Sequence, residues 1–203
     1  MDKNIKSSYD SKKPVTLLNC LYKCYQVGSM EAPAKNDGGK GWRQILTPEL
    51  IKRGIFSFDP TREEVSKVGM TTKKFIKVVK QYQKDEATEN FLDAMDKIWK
   101  GVNKIVDGQN VHVFGDISYV ENSNFLIWNL DAGDKPGGTI IELTIAWYRN
   151  IPVYLISKVP PEEINTSIYY FVLSSGHRQG KHFENQEELL TFLDEKYNLK
   201  TRG

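Results

Sequence analysis

Two cysteines, Cys20 and Cys24, are too few to staple a chain of 203 residues, which excludes a disulfide framework and fits a reducing compartment. Charge of one sign is also missing: 28 Lys and Arg stand against 26 Asp and Glu, a formal +2. A dedicated binder of polymeric nucleic acid shows a strongly basic domain or stripe, so that partner is not expected. No run approaches the roughly eighteen consecutive apolar residues of a membrane span. Residues 1–14 are polar, rich in Lys and Ser, and without the apolar run of a signal peptide, so they read as a flexible tail. A cytoplasmic location and no membrane partner follow as expectations. His112, His177 and His182 are scattered with no Cys or acidic partner at metal spacing, so neither a metal nor a cofactor is expected. Gly39-Lys40 is followed by Gly41 where a phosphate-binding P-loop needs Ser or Thr, and that motif is rejected.

What is present is a core. Apolar residues make up 39% of the chain, enough for one α/β domain over 15–203. Cys24–Val27 reads as a short buried strand running into Gly28-Ser29. Trp42, Ile45, Leu46, Leu50 and Ile51 fall at helical spacing, with Gly54 at a C-cap position. Ile55–Phe58 is a compact strand closed by Asp59-Pro60, and 61–89 is a charged helical insertion. Phe91–Val106 reads as one amphipathic helix, Phe125–Leu130 and Ile151–Ile156 as central strands, and Thr139–Arg149 as a helix between them. Tyr169–Leu173 is a further strand candidate, and Glu187–Tyr197 closes the chain as an amphipathic helix. The alternation predicts a Rossmann- or flavodoxin-like doubly wound domain with a parallel sheet of about five strands. Ligands of such folds sit at the carboxyl ends of the strands, in the loops that begin at Gly28, Asp59, Asp131 and Ser157.

Three clusters at those loops carry possible chemistry. Gly28-Ser29 after a strand is either an ordinary turn or a close approach for phosphate or sugar oxygens. Gly138-Thr139 opens a helix, and Thr139 and Glu142 have capping-box spacing; Glu142 either caps that helix or is a carboxylate in the crevice able to attack a sugar carbon. Asp116 either caps a short helix or is a second carboxylate that exchanges a proton with a leaving base. Cys20 and Cys24 read as small core residues, the four tryptophans as core or rim aromatics, and Lys73, Lys74, Lys77 and Lys80 as a solvated helix face.

Taken in order, Tyr25-x-x-Gly28-Ser29, Trp42-Arg43, Asp59-Pro60, Asp116, an apolar strand and Gly138-Thr139-x-x-Glu142 followed by Ala146 resemble the nucleoside 2-deoxyribosyltransferase superfamily. That superfamily includes the deoxynucleoside 5′-monophosphate N-glycosidases. The resemblance spans Tyr25 to Ile156, with the two acids 26 residues apart. It implies that Glu142 is the nucleophile forming a glycosyl-enzyme, that Asp116 assists base departure, and that the Tyr25 hydroxyl orients the nucleophile. Gly28, Ser29, Trp42, Arg43, Asp59, Gly138 and Thr139 would bind substrate. The implied ligand is a nucleoside or nucleotide, and the implied assembly a homo-oligomer with Ser174–Gly180 and the closing helix at its interface.

The chain also departs from the family pattern. Pro136 stands six residues before Glu142, where several transferases carry Asp and the hydrolases Ser, with Asp131 and Asp134 nearby. Glu31 replaces the basic residue that follows Gly-Ser in the hydrolases, leaving Lys35, Lys40 or Arg43 to supply its charge. These departures and the long insertion favour an alternative of another class, a non-catalytic nucleotide-binding or sensing protein on the same fold.

Overall fold

Short β-branched and aromatic segments alternate with helices along most of the chain. In the computed structural model the described residues are 15–28, 41–131, 134 and 137–199. They form β1 (Tyr22–Val27), α1 (Gly41–Lys52), β2 (Ile55–Phe58), α2 (Pro60–Val68), α3 (Thr72–Lys84) and α4 (Thr88–Trp99). The hairpin β3 (Gly101–Val106) and β4 (Gln109–Phe114) comes next, then α5 (Asp116–Glu121), β5 (Phe125–Asn129), α6 (Gly137–Tyr148) and β6 (Val153–Ile156). A short 3₁₀ turn, α7 (Thr166–Arg178), β7 (Lys181–Phe183) and α8 (Gln186–Tyr197) complete the order.

The main sheet runs β2-β1-β5-β6-β7 with every neighbour parallel. This is the flavodoxin-like doubly wound order, and its direction of winding reverses between β1 and β5, where such sheets open a crevice. Each strand sends alternate side chains to opposite faces. Tyr25, Val27, Leu126, Trp128, Val153 and Leu155 pack under α5, α6 and α7. Cys24, Phe125, Ile127, Tyr154 and Ile156 pack under α1 and α8. β5 is buried at all five positions, as a central parallel strand must be. A third, smaller cluster joins α3 to α4 through Phe75, Val79 and Ile98. Both cysteines are free thiols, and burial pushes that of Cys24 up to about 12. No helix among the described residues is long and apolar enough to cross a membrane.

Four local expectations are corrected. The segment 91–106 is not one helix: α4 ends at Trp99, and 101–106 pairs with 109–114 as an antiparallel hairpin. Asp107 and Gly108 turn that hairpin, both at positive φ (50° and 76°), which is the two-residue turn that matches strand twist. Tyr169–Leu173 lies inside α7, whose start is capped by the Asn165 side chain accepting from the Ser167 and Ile168 amides. The fifth strand is instead the three-residue β7. Thr139 and Glu142 form no capping box, because α6 begins at Gly137 and both residues lie within it. Asp116 is not an N-cap either; Gly115 holds that position and Asp116 is the first helical residue.

Candidate active site

Strand alternation decides where Tyr25 points. Paired with Leu126 on the face shared with α5 and α6, it is fully buried, and its hydroxyl donates to Glu142 Oε1 at 2.7 Å. Glu142 comes from the second turn of α6, a helix apolar enough to be buried on its inner side at Leu143 and Ala146. Asp116 enters from the first turn of α5, and its Oδ1 accepts from Lys67 Nζ of α2 at 2.5 Å. The Lys67 ammonium also lies 5.1 Å from the ring centre of Tyr119, which in turn stacks on Tyr25 at 6.3 Å.

Of these groups, Asp116 and Glu142 border a cavity of about 310 Å³ at the carboxyl end of the sheet. That is near the lower end of the roughly 300–1,000 Å³ usual for small-ligand sites. One wall is polar, with Gly28 at the end of β1, Asp116, Glu142, and Gly137, Gly138 and Thr139 at the start of α6. The opposite wall is apolar and comes from α3 and α4, through Phe75, Val79, Phe91, Met95, Ile98 and Trp99. Lys73, Lys74, Lys77 and Lys80 of α3 are exposed, the solvated face expected from sequence, and Lys80 also reaches this cavity.

Burial sets the electrostatics. It pushes the Glu142 carboxyl up to about 8, with the Asp116 charge adding to the rise. The Tyr25 hydrogen bond and the Arg43 and Lys67 cations work in the other direction. Asp116 is also raised, mainly by burial, and Lys67 then Tyr25 oppose the rise. The Tyr25 phenol is held well above its ordinary value by burial and by the two acids, so it stays protonated and acts as a donor. The result is a carboxylate fixed through one oxygen, titrating near neutrality, beside a second carboxylate bearing a cation. Two neighbouring acids both raised by burial, only one of them bearing a cation, suit nucleophilic and acid–base work.

The other candidate residues divide. Gly28, Gly138 and Thr139 line the cavity, and Thr139 is buried. Trp42, Arg43 and Asp59 do not line it; they brace the ends of β1 and β2. Arg43 is fully buried, its Nη2 donating to the carbonyls of Gln26 (3.1 Å) and Gly28 (3.2 Å). Arg43 Nε lies 3.7 Å from Asp59 Oδ1, which also caps α2 by accepting from the Thr61 amide and hydroxyl. Trp42 packs beneath the Arg43 guanidinium at 4.5 Å. Ser29, Glu31, Lys35, Lys40 and Pro136 lie outside the described residues. Asp131 and Asp134 do not line this cavity; the Asp131 amide donates to Asp134 Oδ2, and Asp131 borders a separate crevice beyond β5 and β6.

Lys67 and the α3–α4 wall are the parts that sequence reasoning missed. Lys67 sits in a charged stretch with no spacing to mark it as buried. The wall had a signal, since Phe75 and Val79 are four residues apart on one helix face, but nothing tied that face to the two acids.

No protein-family model matches the chain, and no curated protein matches it either. Among solved structures it is similar to the 2-deoxyribosyltransferase of the psychrotolerant bacterium Bacillus psychrosaccharolyticus, at 14% identity over 89% of this chain and 99% of that one, with a TM-score of 0.49.

Proposed function

We propose that the protein cleaves or transfers at the N-glycosidic bond of a (deoxy)nucleoside or its 5′-monophosphate, through a covalent glycosyl-enzyme on Glu142. The observation that carries this reading is the buried Tyr25–Glu142 hydrogen bond beside a cavity that Glu142 and Asp116 both line. A capping or purely structural glutamate has no need of a buried phenol from the strand beneath it. With Oε1 held by Tyr25, Oε2 of ionised Glu142 attacks the anomeric carbon as the bond to the base breaks. The electron pair of that bond stays on the base nitrogen, which takes a proton on the Asp116 side. Water or a second base then displaces the sugar from Glu142 by the reverse geometry. The apolar wall from α3 and α4 suits the face of a planar base, and the polar wall suits the sugar. The reading extends to a homo-oligomer, for which we assign the exposed apolar side chains of α6 and α7.

A trapping experiment tests the chemistry. Acid quench during turnover, followed by digestion and peptide mass analysis, is expected to find a sugar adduct on the Glu142 peptide. The adduct should be absent from Glu142→Ala, with base release at least about 1,000-fold slower. Nucleotide binding without any base release would favour a sensing role instead.

A further inference from the structure

Lys67 is a charge buried where packing alone would accept a methionine. Its side chain is fully buried, and it is seated on Tyr119 with its ammonium on Asp116 Oδ1. Taking an ammonium and a carboxylate out of water is costly, and an apolar pair of similar volume often serves stability as well or better. A buried pair whose carboxylate, Asp116, borders a cavity is therefore a candidate for a working role.

The arrangement is asymmetric. Two carboxylates face one cavity and share the Tyr25 phenol, yet only Asp116 bears a lysine, while Glu142 is held by the phenol alone. A carboxylate tied to a cation is a weaker nucleophile and a more stable conjugate base; one tied to a phenol keeps more of its nucleophilicity. We propose that Lys67 is a positioning residue that acts through Asp116, fixing it as the acid on the base side and leaving Glu142 as the attacking group. This role rests on the glycosidic reading above. As Glu142 bonds to the anomeric carbon and the bond to the base breaks, the electron pair passes to the base nitrogen. The two neighbouring acids hold one proton between them; when Glu142 is ionised it resides on Asp116, and the base nitrogen takes it from Oδ2, the oxygen that Lys67 leaves open. Lys67 keeps its own protons and stabilises the carboxylate that this transfer creates. The other titratable or charged groups facing the pair are Glu142, Tyr25, which bonds both acids, Arg43, which is bound to backbone carbonyls, and Lys80 on the cavity wall.

Substrates that differ only in the leaving ability of their base read this role directly. Halogenated and unsubstituted pyrimidine deoxynucleosides form one series, and N7-methylated and unmethylated purines another, since an N7-methylated base departs without needing a proton. For Lys67→Met, compared on the high-pH plateau where Glu142 is ionised in both proteins, we expect about 100-fold slower turnover of the unsubstituted substrates, the scale of general acid catalysis, with little change for those needing no proton. In an Asp116→Asn background, Lys67→Met should have no further effect; that double variant buries no unpaired charge, so it keeps the test open if the single variant folds poorly. Equal slowing of every substrate, or slowing that persists in the Asp116→Asn background, would reduce Lys67 to a packing role and overturn the proposal. Wild-type protein that releases no base from any of these substrates would instead overturn the glycosidic reading itself.

Discussion

At the scale of single residues, the proposed chemistry turns on the ionisation of Glu142. With a substrate whose base needs no proton, only Glu142 must be ionised, so kcat/KM should climb as pH rises through about 8. Tyr25→Phe removes a hydrogen bond that favours the ionised form. The rising limb should therefore move to higher pH, and the rate at pH 7 should fall by roughly 10- to 100-fold. A pH–rate series on both proteins checks the direction. The same shift has a consequence for stability. Below pH 4.5 Glu142 carries its proton whether folded or unfolded; between 4.5 and about 8 the unfolded chain releases it and the buried site does not. Stability is thus lost as pH rises through that window. Glu142→Gln has no such group, so its advantage in Tm over wild type should grow by roughly 5 °C or more between pH 5 and pH 9. Melting curves at the two pH values decide this. Tyr25 lies within β1, Asp116 opens α5 and Glu142 sits in the second turn of α6, so no local spacing groups them; only the ordered resemblance named all three. Arg43 read as a ligand residue because its side chain chemistry looks the same whether it faces a phosphate or, as here, two backbone carbonyls.

Elements explain why the acids meet. The hairpin β3–β4 lies between α4 and α5, so its base positions both Trp99 in the cavity wall and Asp116. Gly115 is the pivot: a Cβ there would lie 2.2 Å from the Trp99 carbonyl oxygen, a backbone atom that cannot step aside. Gly115→Ala should cost about 1–3 kcal/mol in denaturant unfolding and slow turnover by displacing Asp116. An unchanged midpoint and rate would show that the hairpin base is not strained in this way. This hairpin was hidden in the sequence because Val102, Ile105 and Val106 continue the apolar spacing of α4 by coincidence. Only the Asp107-Gly108 pair, flanked by β-branched residues, distinguishes the two readings. Residues 169–173 misled for the opposite reason: a short aromatic and aliphatic run fits strand or helix equally, and Asn165 decided for helix.

For the whole molecule, the parallel order follows from buried apolar strands separated by helices, which is why the doubly wound sheet could be read in advance. Its two faces and its switch point were fixed by that order, and so was the crevice beside β1. The α3–α4 wall was not, because long-range packing of an insertion leaves no local period. On the outer surface, Ile141 and Tyr148 of α6 and Tyr170 and Leu173 of α7 are exposed, with Tyr148 at 75%. Exposed apolar faces of this kind mark association sites, so sedimentation should find an oligomer, and Tyr170→Glu with Leu173→Glu should shift it toward monomer. A monomeric wild type would contradict the assembly. The central claim has a more direct test: free base released from a panel of deoxynucleosides and their 5′-monophosphates by wild type and by Glu142→Gln at equal concentration. The account predicts release by wild type and a rate at least about 1,000-fold lower in the variant, whereas release at the wild-type rate from Glu142→Gln would contradict it.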